Sequence, residues 1–355
     1  MVTTMNKKPL LLLILCLLLL AGCSPSSGTD RSRVAPAKAD AWQVSDPQSQ
    51  GMDPKLLEEM QAEIQAKRIP LHSLLIIRNG QIVSENYYAA NKPATKHVQY
   101  SVTKSFIATL IGIAIDQGKL EGVELPVMDF FPGKTVAAPD PRKTAMTVED
   151  LLTMSSGLGW MEGDASYSAM YRSSDWSKWV LDLPMQDSPG ETFNYCSGCS
   201  HVLSVILEEA TGENPRAFAD QNLFKPLGIT DYEWETDSDG TPIGGWGLYL
   251  TPRDMARLGL LYLHDGKWGD TQIVSKEWVA AATTTQVDPD GRLSYGYQWW
   301  IYDTHGAFTA LGRDGQAIFV APDLDLVVVT TAKMPGDHDP IFSLIDNYIL
   351  PSVIE

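Results

Sequence analysis

Tyr100-Ser101-Val102-Thr103-Lys104, followed by the run Ser105 to Ile115, is the stretch on which the fold of this chain turns. From Ser105 onward the run is apolar nearly all round, which predicts a helix buried on every side rather than a surface helix with one apolar stripe. At its start, residues i and i+3 share one helical face about one turn apart, so the Ser101 hydroxyl and the Lys104 amine can meet. A helix start also offers N–H groups and a positive dipole end, which suit a developing oxyanion. Lysine is a useful base only when desolvation or a nearby cation lowers its pKa from about 10.4, and the apolar run supplies that setting. The plain alternative is an N-cap serine beside a solvated lysine. Ser101 is, however, the only serine here with lysine three residues on.

Working outward, Ser73–Arg78 and Gln81–Tyr87 flank Asn79-Gly80, a type I′ hairpin signal. Pro54 to Lys67 carries apolar residues at helical spacing and leads into that hairpin. From Leu120 to about Gly245 the segments read as helices broken by Gly/Pro loops, with no convincing strand alternation. Strand character returns at Tyr295–Tyr302, Ala317–Val320 and Leu324–Thr331, before a terminal helix at Ile341–Leu350. The expected fold is mixed α/β (α+β): an antiparallel sheet flanked by helices, assembled from both ends of the chain, with a mainly helical inserted domain. Residues 42–120 with 246–355 would form the α/β domain, and 121–245 the helical one.

The first residues read as an address. Lys7 and Lys8 precede eleven apolar residues from Leu10 to Leu20, too few to span a bilayer, which takes about 20. A basic flank, a short apolar core and small residues after it predict a signal peptide over residues 1–22. Leu20-Ala21-Gly22-Cys23 resembles the lipobox of bacterial lipoproteins, which implies cleavage before Cys23 and a lipid anchor on its sulfur. Residues 23–41, rich in Ser, Pro and Ala, then read as a tether, and the protein as exported and lipid-anchored in the cell envelope. Loss of residues 1–22 takes the net charge from −17 to −19, since that segment holds Lys7 and Lys8 and no acid. Such a charge argues against nucleic acid as a partner, and against membrane binding by charge alone.

Two further stretches carry chemistry. In Asn194-Tyr195-Cys196-Ser197-Gly198-Cys199, ahead of a helix from Ser200 to Ala210, Tyr195 can shuttle a proton between Ser101 and a leaving group; its bland reading is a packing residue. In Leu311-Gly312-Arg313-Asp314-Gly315-Gln316, two glycines allow close backbone approach and a second oxyanion N–H; its bland reading is a turn.

Together with Leu151–Leu158, Gly244–Asp254 and Tyr295–Trp300, these motifs resemble, in order, the serine β-lactamase and penicillin-binding-protein superfamily. The resemblance is to its class C-like branch, which includes esterases and 6-aminohexanoate-dimer hydrolases. It implies Ser101 as acylated nucleophile, Lys104 as activating base and Tyr195 as proton shuttle, with Ser197, Gly312, Arg313, Asp314 and Gly315 at the substrate and oxyanion side. Penicillin-recognising members usually carry Asn where Ser197 stands, and Lys-Thr-Gly or His-Thr-Gly where Arg313-Asp314-Gly315 stands. Those departures favour a small ester or amide as the acyl substrate over a β-lactam or D-Ala-D-Ala peptide. The alternatives are a penicillin-recognising enzyme and a non-catalytic envelope binding protein with the same fold.

Other signals are weaker. Cys196-x-x-Cys199 reads as a local disulfide or two packed thiols rather than a redox pair, and it lacks the second Cys/His pair of a zinc site. No HExxH or Gly-x-Ser-x-Gly occurs, and no metal or cofactor is implied. Trp160, Trp246 and Trp299 are candidates to wall an apolar acyl pocket.

Overall fold

The computed structural model describes residues 1, 42–289, 293–302, 304–336 and 338–354. Apart from Met1, the expected signal segment, Cys23 and the tether lie outside them. Asn79 and Gly80 both take positive φ, 51° and 72°, and Arg78 pairs with Gln81 across them, as a type I′ turn requires. The hairpin strands are β1 (Leu71–Arg78) and β2 (Gln81–Tyr87). Ahead of them, helix α1 spans Pro54–Lys67. The Asp53 side chain caps its start by accepting from Lys55 N–H, and Arg68 in a left-handed conformation ends it.

The rest of the main sheet comes from the other end of the chain. Its strands are β3 (Ser294–Tyr295), β4 (Trp300–Ile301), β5 (Phe308–Gly312), β6 (Gln316–Ala321) and β7 (Leu326–Ala332). Their spatial order is β2-β1-β7-β6-β5-β4-β3, and every neighbouring pair is antiparallel. Both faces are covered. Leu74, Ile76, Phe319 and Val328 point toward α1 and the helix Asp339–Leu344. Their neighbours Leu75, Ile77, Ile318 and Val329 point toward α2 (Val102–Asp116) and a later helix at Pro252–Leu263. Because each face meets apolar side chains, these strands read as nearly unbroken hydrophobic runs rather than as polar/apolar alternation.

Between the two contributions to the sheet lie the helices Val148–Leu152, Asp164–Tyr171, Trp176–Leu181 and α3 (Ser197–Thr211). One strand interrupts this region: Glu233–Trp234 pairs with Leu248–Leu250, which also pairs with His97–Val98. Two residues are too short a run to leave an alternation in the sequence. The single strand expected over Tyr295–Tyr302 is instead two strands, β3 and β4, joined where Gly296 N–H donates to Trp299 O at 2.8 Å. Gln298, at φ 60°, turns its amide inward to the carbonyls of Leu151 and Leu152, which breaks the strand there. The terminal helix starts earlier than expected, at Asp339, and passes into a π-helical turn over Ile345–Ile349.

Candidate active site

Helix α2 carries the site because it is anchored so firmly. Every residue from Val102 to Ala114 is buried. Phe106, Ile107, Leu110, Ile111 and Ile113 are large side chains whose burial stabilises the fold by roughly 1.5–3 kcal/mol each. Those contributions outweigh the cost of the one cation on the helix, Lys104, which is only 1% exposed. Tyr100 precedes the helix at φ 46°, a strained conformation for an aromatic residue, and delivers Ser101 to the N-cap position. The N–H groups of Val102, Thr103 and Lys104 are already taken by the carbonyls of Gln99, Tyr100 and Ser101. The expected free donors of the first turn are therefore used within the turn. The N–H of Ser101 itself has no backbone acceptor among the described residues.

Lys104 Nζ donates to three oxygens: Ser101 Oγ at 2.9 Å, Ser197 Oγ at 2.9 Å and Gly245 O at 2.8 Å. The i, i+3 spacing thus brings Ser101 and Lys104 together as read from the sequence. Ser197 arrives from the first residue of α3, and Gly245 from a bend laid against that helix. A Cβ on Gly245 would sit 2.6 Å from Ser197 O, and one on Gly244 2.1 Å from Ser200 O, so the paired glycines permit the approach. Burial lowers the Lys104 pKa from 10.5 to about 8, with Arg313 adding to the fall and Glu162 opposing it.

Glu162 has no motif around it in the sequence. From an exposed loop it turns its carboxylate inward, accepting from Ser197 Oγ at 2.7 Å, Ser197 N–H at 3.2 Å, Trp160 Nε1 at 2.6 Å and the Tyr167 hydroxyl. Burial pushes its pKa up, but Lys104 and these donors outweigh that, and the net shift is downward. Tyr195 lies with its ring 5.0 Å from Lys104 Nζ. Burial raises its phenol pKa well above 10, an effect that a hydrogen-bonding interaction with Ser101 only partly offsets. Cys196 and Cys199 form a disulfide that brackets Ser197, which decides between the two non-redox readings of that pair.

The strand β5 ends against the start of α2. A Cβ on Gly312 would meet Gln99 O at 2.3 Å and Val102 N at 3.3 Å, so only glycine lets the two backbones lie this close. Gly312 and Arg313 both line the cleft over Ser101, and the Arg313 guanidinium stands 5.8 Å from the Tyr100 ring. Asp314 and Gly315 do not line it. The Asp314 carboxylate accepts from the Tyr100 hydroxyl at 3.3 Å, bracing the turn, and Gly315 packs against Ala332, Met334 and Ile341.

The cleft has a volume of about 790 Å³. One wall is aromatic, formed by Tyr167, Tyr171 and Trp246, with Tyr167 and Trp246 edge to face at 4.9 Å. Tyr195, stacked on Trp300 at 6.0 Å between ring centroids, also lines the cleft. Of the three tryptophans expected at the pocket, only Trp246 is there. Trp160 is buried behind the wall with its N–H committed to Glu162, and Trp299 is core, packed on Tyr262 and Phe308. Tyr167 and Tyr171, one helical turn apart, had a legible spacing; Trp300 was hidden by the turn that reverses the strand phase before it.

A half-buried serine hydroxyl bonded to a buried lysine amine at a helix start, with a strand end and a tyrosine beside them on a mixed α/β scaffold with an antiparallel sheet, is the arrangement of the serine-hydrolase class. Residues 55–343 match the family described as Beta-lactamase, and the chain belongs to that family. It is 25% identical over 288 residues to the 6-aminohexanoate-dimer hydrolase of Paenarthrobacter ureafaciens, covering 74% of this chain and 72% of that one. Among solved structures, EstCE1, a hydrolase with promiscuous acyltransferase activity, superposes with a TM-score of 0.70 at 18% identity, covering 85% of this chain and 99% of that one. A family VIII carboxylesterase gives 0.70 at 15% identity, with coverage of 87% and 99%. At these identities the structural likeness speaks for the fold.

Proposed function

We propose that this protein is a lipid-anchored envelope hydrolase that cleaves a small ester or amide through an acyl-enzyme on Ser101. The observation that carries the reading is the buried Lys104 amine, 2.9 Å from Ser101 Oγ and with its pKa brought down to about 8. A neutral amine there takes the Ser101 proton as Oγ attacks the acyl carbon. The N–H groups of Ser101 and Arg313 receive the oxyanion, one from each side of the close approach at Gly312. Tyr195, kept protonated by burial, hands its proton to the leaving group and recovers one through Lys104. Water then attacks the acyl-enzyme by the same route in reverse.

The substrate side follows from what lines the cleft. Glu162, Asp164 and Glu235 stand there against Arg313 and His338, and the remaining wall is largely aromatic. That balance favours a neutral or amine-bearing acyl compound over a carboxylate-bearing β-lactam, in line with the departures at Ser197 and at Arg313-Asp314-Gly315. The test is a panel of short-chain esters, linear amides, D-Ala-D-Ala peptides and nitrocefin, run on the native protein and on Ser101→Ala. Ester or amide turnover lost in Ser101→Ala supports the reading; turnover that survives the substitution refutes it. Export and anchoring are tested separately: Cys23→Ser should release the protein from the membrane fraction.

A further inference from the structure

We infer that Glu162 is a positioning residue for acylation: by holding the Ser197 hydroxyl as an acceptor, it leaves the lone pair of Lys104 for Ser101. The inference rests on the acyl-enzyme reading above and starts from hydrogen-bond inventory. A neutral lysine amine has two N–H donors and one lone pair. Gly245 O, 2.8 Å away, can only accept, so it consumes the first N–H. Ser197 Oγ, 2.9 Å away, could either accept an N–H or donate into the lone pair. Glu162 decides which. Its Oε1 takes the Ser197 hydroxyl proton at 2.7 Å, which leaves Ser197 only lone pairs to offer Lys104 and consumes the second N–H. The amine lone pair is then directed at the remaining partner, Ser101 Oγ at 2.9 Å, whose proton it can take.

The carboxylate is itself fixed for this task. Trp160 Nε1 holds Oε2 at 2.6 Å, the Tyr167 hydroxyl holds Oε1, and the Ser197 N–H donates to Oε2 at 3.2 Å. In the chemical step the proton passes from Ser101 Oγ to Lys104 Nζ as the Oγ–carbon bond forms, and the carbonyl π pair moves onto oxygen. The new ammonium keeps its two donors to Gly245 and Ser197, and Glu162, one hydroxyl away, offsets its charge. Arg313 opposes that effect on Lys104, and Tyr195 packs its ring on the same amine. Tyr167, Tyr195 and Tyr295 are the other titratable groups that sense the Glu162 charge, each of them held protonated.

The experiment is stopped-flow acylation by p-nitrophenyl acetate between pH 5.5 and 9.5 for the native protein, Glu162→Gln, Glu162→Ala, Ser197→Ala and the Glu162→Ala/Ser197→Ala double variant. Glu162→Gln keeps an acceptor but removes the anion that raises the Lys104 pKa, so its acid limb should move down by about one pH unit. Glu162→Ala frees the Ser197 hydroxyl to occupy the lone pair and should slow acylation by about tenfold or more. Because Glu162 acts through Ser197, the double variant should be no slower than Ser197→Ala alone. A Glu162→Ala plateau rate equal to the native one, or single effects that multiply in the double variant, would overturn the inference. Should near-UV circular dichroism show that Glu162→Ala misfolds, the Glu162→Gln plateau decides: an acceptor retained there should keep the rate within about threefold of the native one, and a loss of about tenfold or more would overturn the inference. Absence of acylation in the native protein sinks the hydrolase reading, whereas native acylation with an unchanged Glu162→Ala rate sinks only the role of Glu162.

Discussion

Replacing Lys104 by methionine separates what the buried cation does for chemistry from what it does to stability. The folded protein holds the Lys104 pKa at about 8, against 10.5 for the free side chain. Between those values the folded state binds fewer protons than the unfolded state, so the lysine makes stability rise with pH. Below pH 8 both states are protonated, and the full cost of the shift, about 3 kcal/mol, weighs on the folded state. Raising the pH from 7 to 9.5 should remove about 2 kcal/mol of it. Lys104→Met has no such titration. Urea unfolding of both proteins at pH 7 and pH 9.5 should therefore show the native protein gaining about 2 kcal/mol relative to the variant. Acylation by p-nitrophenyl acetate should fall about 10²–10⁴-fold in Lys104→Met, and in the native protein should be half-maximal near pH 8. A stability difference that does not change with pH would refute the claim that burial perturbs this lysine, and with it the reason it can act as a base.

Three more expectations follow from the site. Gly312→Ala places a Cβ 2.3 Å from Gln99 O, so it should cost about 2–4 kcal/mol in urea unfolding and lower kcat by loosening the oxyanion side. Cys199→Ser opens the Cys196–Cys199 loop and should cost about 2 kcal/mol by the loop-entropy estimate, measured as a fall in the unfolding midpoint under non-reducing conditions. Tyr195→Phe should slow hydrolysis of an alkyl ester about 10²-fold yet affect the p-nitrophenyl ester much less, since only the poorer leaving group needs its proton.

Sequence and structure agree where the physics is local. The ends of α1 are set by Asp53, Pro54 and the left-handed Arg68, and the hairpin by two residues that tolerate positive φ. The meeting of Ser101 with Lys104 needs nothing beyond helical spacing. What stayed hidden depends on partners distant in the chain. Glu162 is an ordinary acid in a Gly-bounded loop until α3 brings Ser197 within 2.7 Å of it. Trp299 and Trp300 differ by one position, and a strand of uncertain phase cannot say which faces the cleft; the turn through Gln298 settles it. Asp314 and Gly315 look like ligand contacts in a linear motif, but the positive φ of Asp314, 65°, turns the chain away from the cleft immediately after Arg313.

The central claim is that Ser101 is acylated, and intact-protein and peptide mass spectrometry after a fluorophosphonate or a p-nitrophenyl acetate burst tests it most directly. The account predicts one label per chain, on the peptide that carries Ser101, and none in Ser101→Ala. A correctly folded protein that stays unlabelled, or that carries the label on another residue, would contradict it.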